Sequence, residues 1–338
     1  MQVLGRLLRR AALVVVVVLI CVVLFEVLLR TGIVSNDMHR KESRRQAWER
    51  AESRVAVVGD SFLDSRLGRM LDEEFEEANV GMLNLAIKGI GPYGYRDFVR
   101  DMRVEVPPDL LLLGYYVGND LTDTRFRPDY RGTAEPPALV GRDWRDLYID
   151  DYVRYKTESA LFVHWEPDWD ALEAHGVDAD YIALAKEGEM SPYLVFLGMD
   201  KPTHLLDNIL ILGEENEAAW QTNAELIREI HAICKSRGTE LACVVFPRSI
   251  QIDRSRFEMF ERLKYELDDR TLESTRPQDL LAELCAAEGI PLLDLLPDLA
   301  AAAERDHFLE NDDHMNELGN RLSADRIVPF VLEQLAKQ

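Results

Sequence analysis

The sequence predicts an α/β fold, a three-layer αβα sandwich on a parallel five-stranded sheet of flavodoxin-like form, and three observations lead there. Apolar runs recur near 55–58, 82–87, 109–116, 240–246 and 290–294, with the continuous hydrophobicity of strands buried on both faces. Helical patterns separate them, near 64–79, 94–104, 215–236, 256–287 and 317–336. That alternation yields a parallel sheet covered by helices. Several runs end in glycine and polar residues, as in Gly59-Asp60-Ser61 and Gly118-Asn119-Asp120, which places turns where open α/β sheets carry their sites.

Taken in order, Val55-Ala56-Val57-Val58 forms the first strand. Leu67, Met70, Leu71 and Phe75 give the next segment helical spacing. The second strand breaks into Lys88-Gly89-Ile90-Gly91, and the third runs through Leu110–Tyr116 into Gly118-Asn119-Asp120. Asn223, Leu226, Ile227, Ile230 and Ile233 mark a helix packed on the sheet. Cys243 falls inside the apolar run 241–246 and is expected in the core. A break at Arg276-Pro277 divides the following helical segment, and Pro329 is expected to kink or split the last helix.

Between Leu121 and Gly213 the pattern is interrupted for too long to be a simple connection. This helical insert holds twelve of the chain's 28 aromatic residues, among them Trp144, Trp165 and Trp169. It begins directly after Asn119-Asp120, so the expectation is a lid that shapes a pocket there. The alternative is that most of these rings form the insert's own small core.

The 338 residues carry a formal net charge of −22, yet positions 1–50 hold nine Lys/Arg against four Asp/Glu. The rest is therefore near −27, which repels polyanions and argues against nucleic acid as a partner. Residues 11–29 make a nineteen-residue apolar stretch interrupted by Glu26, close to the ~20 residues that span a bilayer. The expected organisation is a membrane anchor over 1–30, a polar stalk over 31–53, and a catalytic domain over 54–338 with its insert at 121–213. A cleaved signal peptide is the alternative for the first segment, but no small-x-small site follows the apolar run. Basic residues flank both sides of the stretch, so charge does not orient it. Cys234, Cys243 and Cys285 lack paired spacing, and neither a disulfide framework, a metal site nor an organic cofactor is indicated.

Ser61 needs a base to become a nucleophile, and its oxyanion needs fixed donors. Gly89 allows a close backbone N–H, Asn119 offers a carboxamide, and Asn311-Asp312-Asp313-His314 sets a histidine beside carboxylates. Singly each has an ordinary reading: Ser61 as a helix cap, Gly89 and Asn119 as turn residues, His314 as a surface histidine. The other six histidines have no partner pattern.

Together the four blocks, Ser61, Gly89, Asn119 and His314 in that order, resemble the SGNH (GDSL-type) hydrolases over roughly 54–335. The resemblance implies strand order 2-1-3-4-5 and a Ser61–His314 pair oriented by an aspartate. It also implies an oxyanion hole of the Ser61 and Gly89 N–H groups with the Asn119 amide. Many members place the orienting Asp three residues before the His, where this chain has Asn311. Asp312, two before, matches the spacing of the polysaccharide O-acetyl-transferring and -removing branches, with Asp313 as the competing choice. The implied activity is removal of acetyl or another small acyl group from a glycan or other ester. Transfer to a sugar hydroxyl is the alternative, and a non-catalytic anchored binding protein is the alternative of another class. Anchored members act on envelope or secreted glycans, which implies a body outside the cytoplasm.

Overall fold

The computed structural model describes residues 2–30, 45–127, 138–139, 166–302 and 306–338, with side chains in the first helix described for 14–28. The chain forms two compact units, Met1–Ala47 with Leu139–Trp165, and Trp48–Ala138 with Glu166–Gln338. In the first unit α1 spans Gln2–Arg30. Among the described residues no helix is long and apolar enough to cross a membrane. Of the apolar stretch in the expected anchor, Ala11–Leu13 and Leu29 lie outside the described side chains, and Trp144 and Trp165 of the insert lie outside the described residues.

The larger unit is a parallel sheet of β1 (Ser53–Val58), β2 (Val80–Asn84), β3 (Leu110–Tyr116), β4 (Glu240–Phe246) and β5 (Leu292–Asp294). Its order is β2-β1-β3-β4-β5, all neighbours parallel. Val55 aligns with Met82 on one side and Leu110 on the other, and Tyr116 aligns with Phe246. Val55 to Val58, Leu110 to Leu112 and Ala242 to Val245 are completely buried, which explains why their sequences are continuously apolar. Beyond β2 the pairing continues through Leu85 N to Val57 O and Ile87 N to Gly59 O, which accounts for the longer run read from sequence.

Helices α2 (Arg66–Glu77), α3 (Pro92–Asp101), α4 (Asp120–Phe126), α5 (Trp169–Ala174), α6 (Ala179–Glu187), α7 (Pro192–Asp200) and α8 (His204–Leu210) precede β4 together with α9 (Glu214–Ser236). After it come α10 (Arg256–Arg262), α11 (Arg276–Glu288), α12 (Leu296–Ala301) and α13 (Glu317–Leu335). α2 and α13 pack together on one face, and α3, α4 and α9 pack together on the other.

Two expectations are corrected in detail. α13 runs unbroken through Pro329: the proline and Asp325, whose carbonyl loses its partner, are both exposed, so water can satisfy that oxygen. Residues 48–53, counted with the stalk, belong to the folded unit. Trp48 is 1% exposed, and its indole donates to Val106 O at 3.0 Å.

Candidate active site

The chain leaves β1 for β2 on one side and returns to β3 on the other, so the ends of β1 and β3 flank a topological switch point, where open α/β sheets form crevices. Ser61 follows β1 and Asn119 follows β3. A Cβ on Gly59 would lie 2.9 Å from Leu63 Cδ1 and 3.3 Å from Gly114 O, so a larger residue would crowd the turn where it crosses close to β3. Asp64 N donates to Asp60 O at 3.0 Å, closing the turn that presents Ser61. Asn84 Nδ2 donates to Leu63 O at 2.8 Å and pins that turn to the end of β2. The helix cap is Ser65, not Ser61, which leaves the Ser61 hydroxyl for other partners.

The histidine segment is a hairpin-like turn closed by the Phe308–Met315 bridge and by Leu309 N donating to His314 O at 2.9 Å. Asn316 ends it by capping α13, accepting from Leu318 N and Gly319 N. His314 Nε2 then lies 2.8 Å from Ser61 Oγ, and His314 Nδ1 lies 2.8 Å from Asp312 Oδ1. Asp312 Oδ1 also accepts the Asp313 and His314 amides at 2.6 and 3.3 Å. The Phe62 ring stacks on the imidazole, centroids 5.4 Å apart.

Asp313 turns the other way. Its carboxylate accepts from Tyr116 OH at 2.8 Å and from Ser249 Oγ, and Arg248 Nε lies 2.6 Å from Oδ2. Arg248 and Asp313 are 3% and 6% exposed, so Asp313 is held by a buried cation and Asp312 faces the histidine.

Burial alone would depress His314. The Asp312 hydrogen bond and charge, with Asp60 and Asp313 behind, outweigh it and raise its pKa above the ordinary value. Burial would raise Asp312, but its bond to His314 and two backbone N–H donors hold it below the usual carboxylate range.

Gly89 has φ +78 and open space where a Cβ would sit, so glycine is required there by backbone conformation and not by crowding. Lys88 N donates to Asp64 Oδ2 at 3.0 Å, tying the Gly89 loop to the Ser61 turn. Among the described residues, neither the Ser61 nor the Gly89 amide donates to a protein acceptor. Asn119 is the N-cap residue of α4, and its side-chain Oδ1 is buried without a protein partner among the described residues.

Behind these donors lie three buried carboxyls that sequence reasoning did not single out. Burial raises Asp60 to about 6, against the counter-effects of the Phe62 amide, His314 and Asn119. It raises Asp123 to about 7, against Arg127 and helped by Asp60. It raises Asp120 well above the carboxylate range, helped by Asp60; Asp120 accepts from Tyr95 OH and Tyr116 N at 2.7 and 2.9 Å. Arg248, Tyr116 and Arg256 were also missed. Arg256 Nη2 donates to the carbonyls of Leu309 and Asp312 at 2.9 and 2.5 Å, bracing the histidine turn. The only sequence signal for Arg248 was its position just past a buried strand.

A cavity of about 350 Å³ opens beside Ser61 and His314, walled by Phe62, Ser65, Leu309 and Met315. No described residue of the insert lines it, and Trp169 instead donates to Glu166 Oε2 at 3.4 Å under Lys186. Among the described residues no cluster of His, Cys, Asp and Glu is arranged to hold a metal ion. Cys234, Cys243 and Cys285 are buried free thiols.

Residues 207–338 match the family model of the SGNH hydrolase-like domain of the acetyltransferase AlgX. That span contains Asp312, His314 and Arg248; Ser61, Gly89 and Asn119 precede it. The match supports acyl-group hydrolase or transferase chemistry. No curated protein matches the chain. Among solved structures, a candidate acylhydrolase of Bacteroides fragilis is 9% identical with a TM-score of 0.42. A GDSL-like lipase of Bacteroides thetaiotaomicron is 12% identical with a TM-score of 0.41. Each comparison covers 88% of this chain and 97% of the other. Scores that low do not define the fold, which rests on the sheet order itself.

Proposed function

We propose that this chain is a serine-dependent ester hydrolase that removes acetyl or another small acyl group from a glycan. The observation that carries the reading is the line Asp312–His314–Ser61, with both contacts at 2.8 Å. Ser61 Oγ attacks the ester carbonyl as its proton passes to His314 Nε2, and Asp312 stabilises the imidazolium. The tetrahedral oxyanion takes hydrogen bonds from the Ser61 and Gly89 N–H groups and the Asn119 amide. Collapse breaks the ester C–O bond, and the departing alkoxide takes the proton from His314. Water, deprotonated by His314, then attacks the acyl carbonyl; the bond to Ser61 Oγ breaks, Oγ takes the proton back from His314, and the acid leaves.

The test is labelling of the full chain by a fluorophosphonate probe. Wild type should label and Ser61→Ala should not; an unlabelled folded wild type, or a labelled Ser61→Ala, refutes the reading.

A second reading, O-acyltransfer, is favoured by the match to an acetyltransferase's domain. The acyl-serine chemistry is the same, with a sugar hydroxyl in place of water. An acetyl ester donor with and without glycan acceptor separates them: transfer product rising as free acetate falls marks the transferase. Retained Ser61, His314 and Asp312 speak against a non-catalytic binding protein.

The reading includes a single-pass anchor with the catalytic body outside the cytoplasm. Its support is the apolar sequence of residues 11–29 and the exposure of Val14 to Ile20, each at least half exposed in α1. Fractionation of cells expressing the full chain, with protease access to the body, tests both parts.

A further inference from the structure

We propose that Arg248 is a positioning residue that couples the acid–base half of the site to its oxyanion half. This rests on the serine-hydrolase reading above. Arg248 sits just past β4, buried, and divides its guanidinium between two loops. Nε lies 2.6 Å from Asp313 Oδ2 on the histidine turn, and Nη1 donates to Gly118 O at 2.6 Å, one residue before Asn119. The Nε contact is an ion pair without an aligned hydrogen bond, so the rigid guanidinium plane, which carries it together with the Nη1 bond, fixes the separation of these two loops in a way a single ammonium does not.

A second arm reaches Asn119 itself. Arg248 Nη1 faces His204 Nδ1 at 3.4 Å, and burial, with the Arg248 and Lys201 charges, keeps His204 well below its ordinary value and neutral. Its proton then resides on Nε2, which lies 3.0 Å from Thr122 Oγ1. Thr122 Oγ1 in turn donates to Asn119 O at 3.0 Å and accepts from Asn208 Nδ2 at 3.0 Å. The hydroxyl thus has one donor and two acceptor roles, all filled. Arg248, His204 and Thr122 run as a buried polar chain from the histidine turn to the backbone of the carboxamide donor.

Charge gives the readout that a merely structural role would not move. The carboxylates facing His314 are Asp312 and Asp313 on its own turn and Asp60 from the end of β1. Arg248 and Tyr116 reach Asp313. Removing the Arg248 charge leaves Asp313 unopposed beside the imidazole and favours the imidazolium. Keeping the charge while losing the fork does not.

The experiment measures fluorophosphonate labelling rate at Ser61, and kcat and KM on 4-nitrophenyl acetate across pH, for the full chain and its variants. Arg248→Lys should lower kcat and the labelling rate by up to about 100-fold, the cost of ångström-scale misplacement, with KM and the acid limb of the pH profile unchanged. Arg248→Met should lower kcat and move the acid limb to higher pH. If both variants fail to fold by circular dichroism, Thr122→Val decides: it should lose about tenfold or more in kcat, with Thr122→Ser restoring it. Wild-type labelling with Arg248→Lys within about twofold of wild type, a loss confined to KM, or an unaffected Thr122→Val would overturn the coupling. An unlabelled wild type would overturn the underlying hydrolase reading instead.

Discussion

Asp312 presents Oδ1 to His314 Nδ1 at 2.8 Å, on a turn whose next carboxylate, Asp313, is drawn away into a buried ion pair. Adjacent acids of one chain therefore have separate tasks. Asp312→Asn should keep the fold and lose roughly 10⁴ in kcat, because an amide favours the wrong histidine tautomer. Asp313→Asn should lower the melting midpoint, since it leaves the enclosed Arg248 without its counter-charge, at roughly 3–5 kcal/mol, and should cost far less in kcat than Asp312→Asn, up to about 100-fold, because the Arg248 tie to the histidine turn is lost. Turnover and thermal melts on both variants check the division; equal loss of activity at equal stability would contradict it.

The raised pKa of His314 sets the pH response. The base works unprotonated, so kcat/KM falls as pH drops through a value above the ordinary histidine range. His314 protonation also stabilises the fold; that contribution is full below the unfolded histidine value and disappears as pH rises through the folded one. The acid limb of the profile is the measurement, and Asp312→Asn should move it downward.

The buried carboxyls act in the same direction on stability, because their folded-state values are also raised. Asp123 is raised to about 7 by burial, so the folded state binds its proton more tightly than the unfolded chain does. Stability then declines as pH rises from the unfolded value of 3.8 to about 7, by roughly 4 kcal/mol at ~1.36 kcal/mol per unit. Asp60, raised to about 6, adds to the slope. Melting midpoints from pH 4 to 8 should fall, and Asp123→Asn should flatten the curve; an unchanged slope would rule the assignment out.

The oxyanion donors should separate binding from turnover. Asn119→Ala is expected to lose about 10²–10³ in kcat with little change in KM. Gly89→Ala meets no steric obstacle but must adopt φ +78, a strain of roughly 1–2 kcal/mol that shifts the N–H as well. Steady-state kinetics with an acetyl ester reads both, and a loss appearing only in KM would argue against the oxyanion role.

By itself the sequence determined the layered α/β plan and the chain positions of the segments that meet at the sheet's C-terminal edge. Strands buried on both faces must be continuously apolar, and a turn crossing close to a neighbouring strand favours glycine, so both signals are local. The second strand ends three residues before the expected position because pairing past Asn84 is continued by single hydrogen bonds rather than by a regular ladder. Only the tertiary structure decided which aspartate faces His314, since Asp312 and Asp313 are adjacent and chemically identical. That choice depends on Arg248, 65 positions upstream of Asp313, and on Tyr116, another 132 further back. The same holds for Asp60, Asp120 and Asp123, whose protons depend on how much water the packed elements exclude, a quantity that no run of neighbouring residues contains.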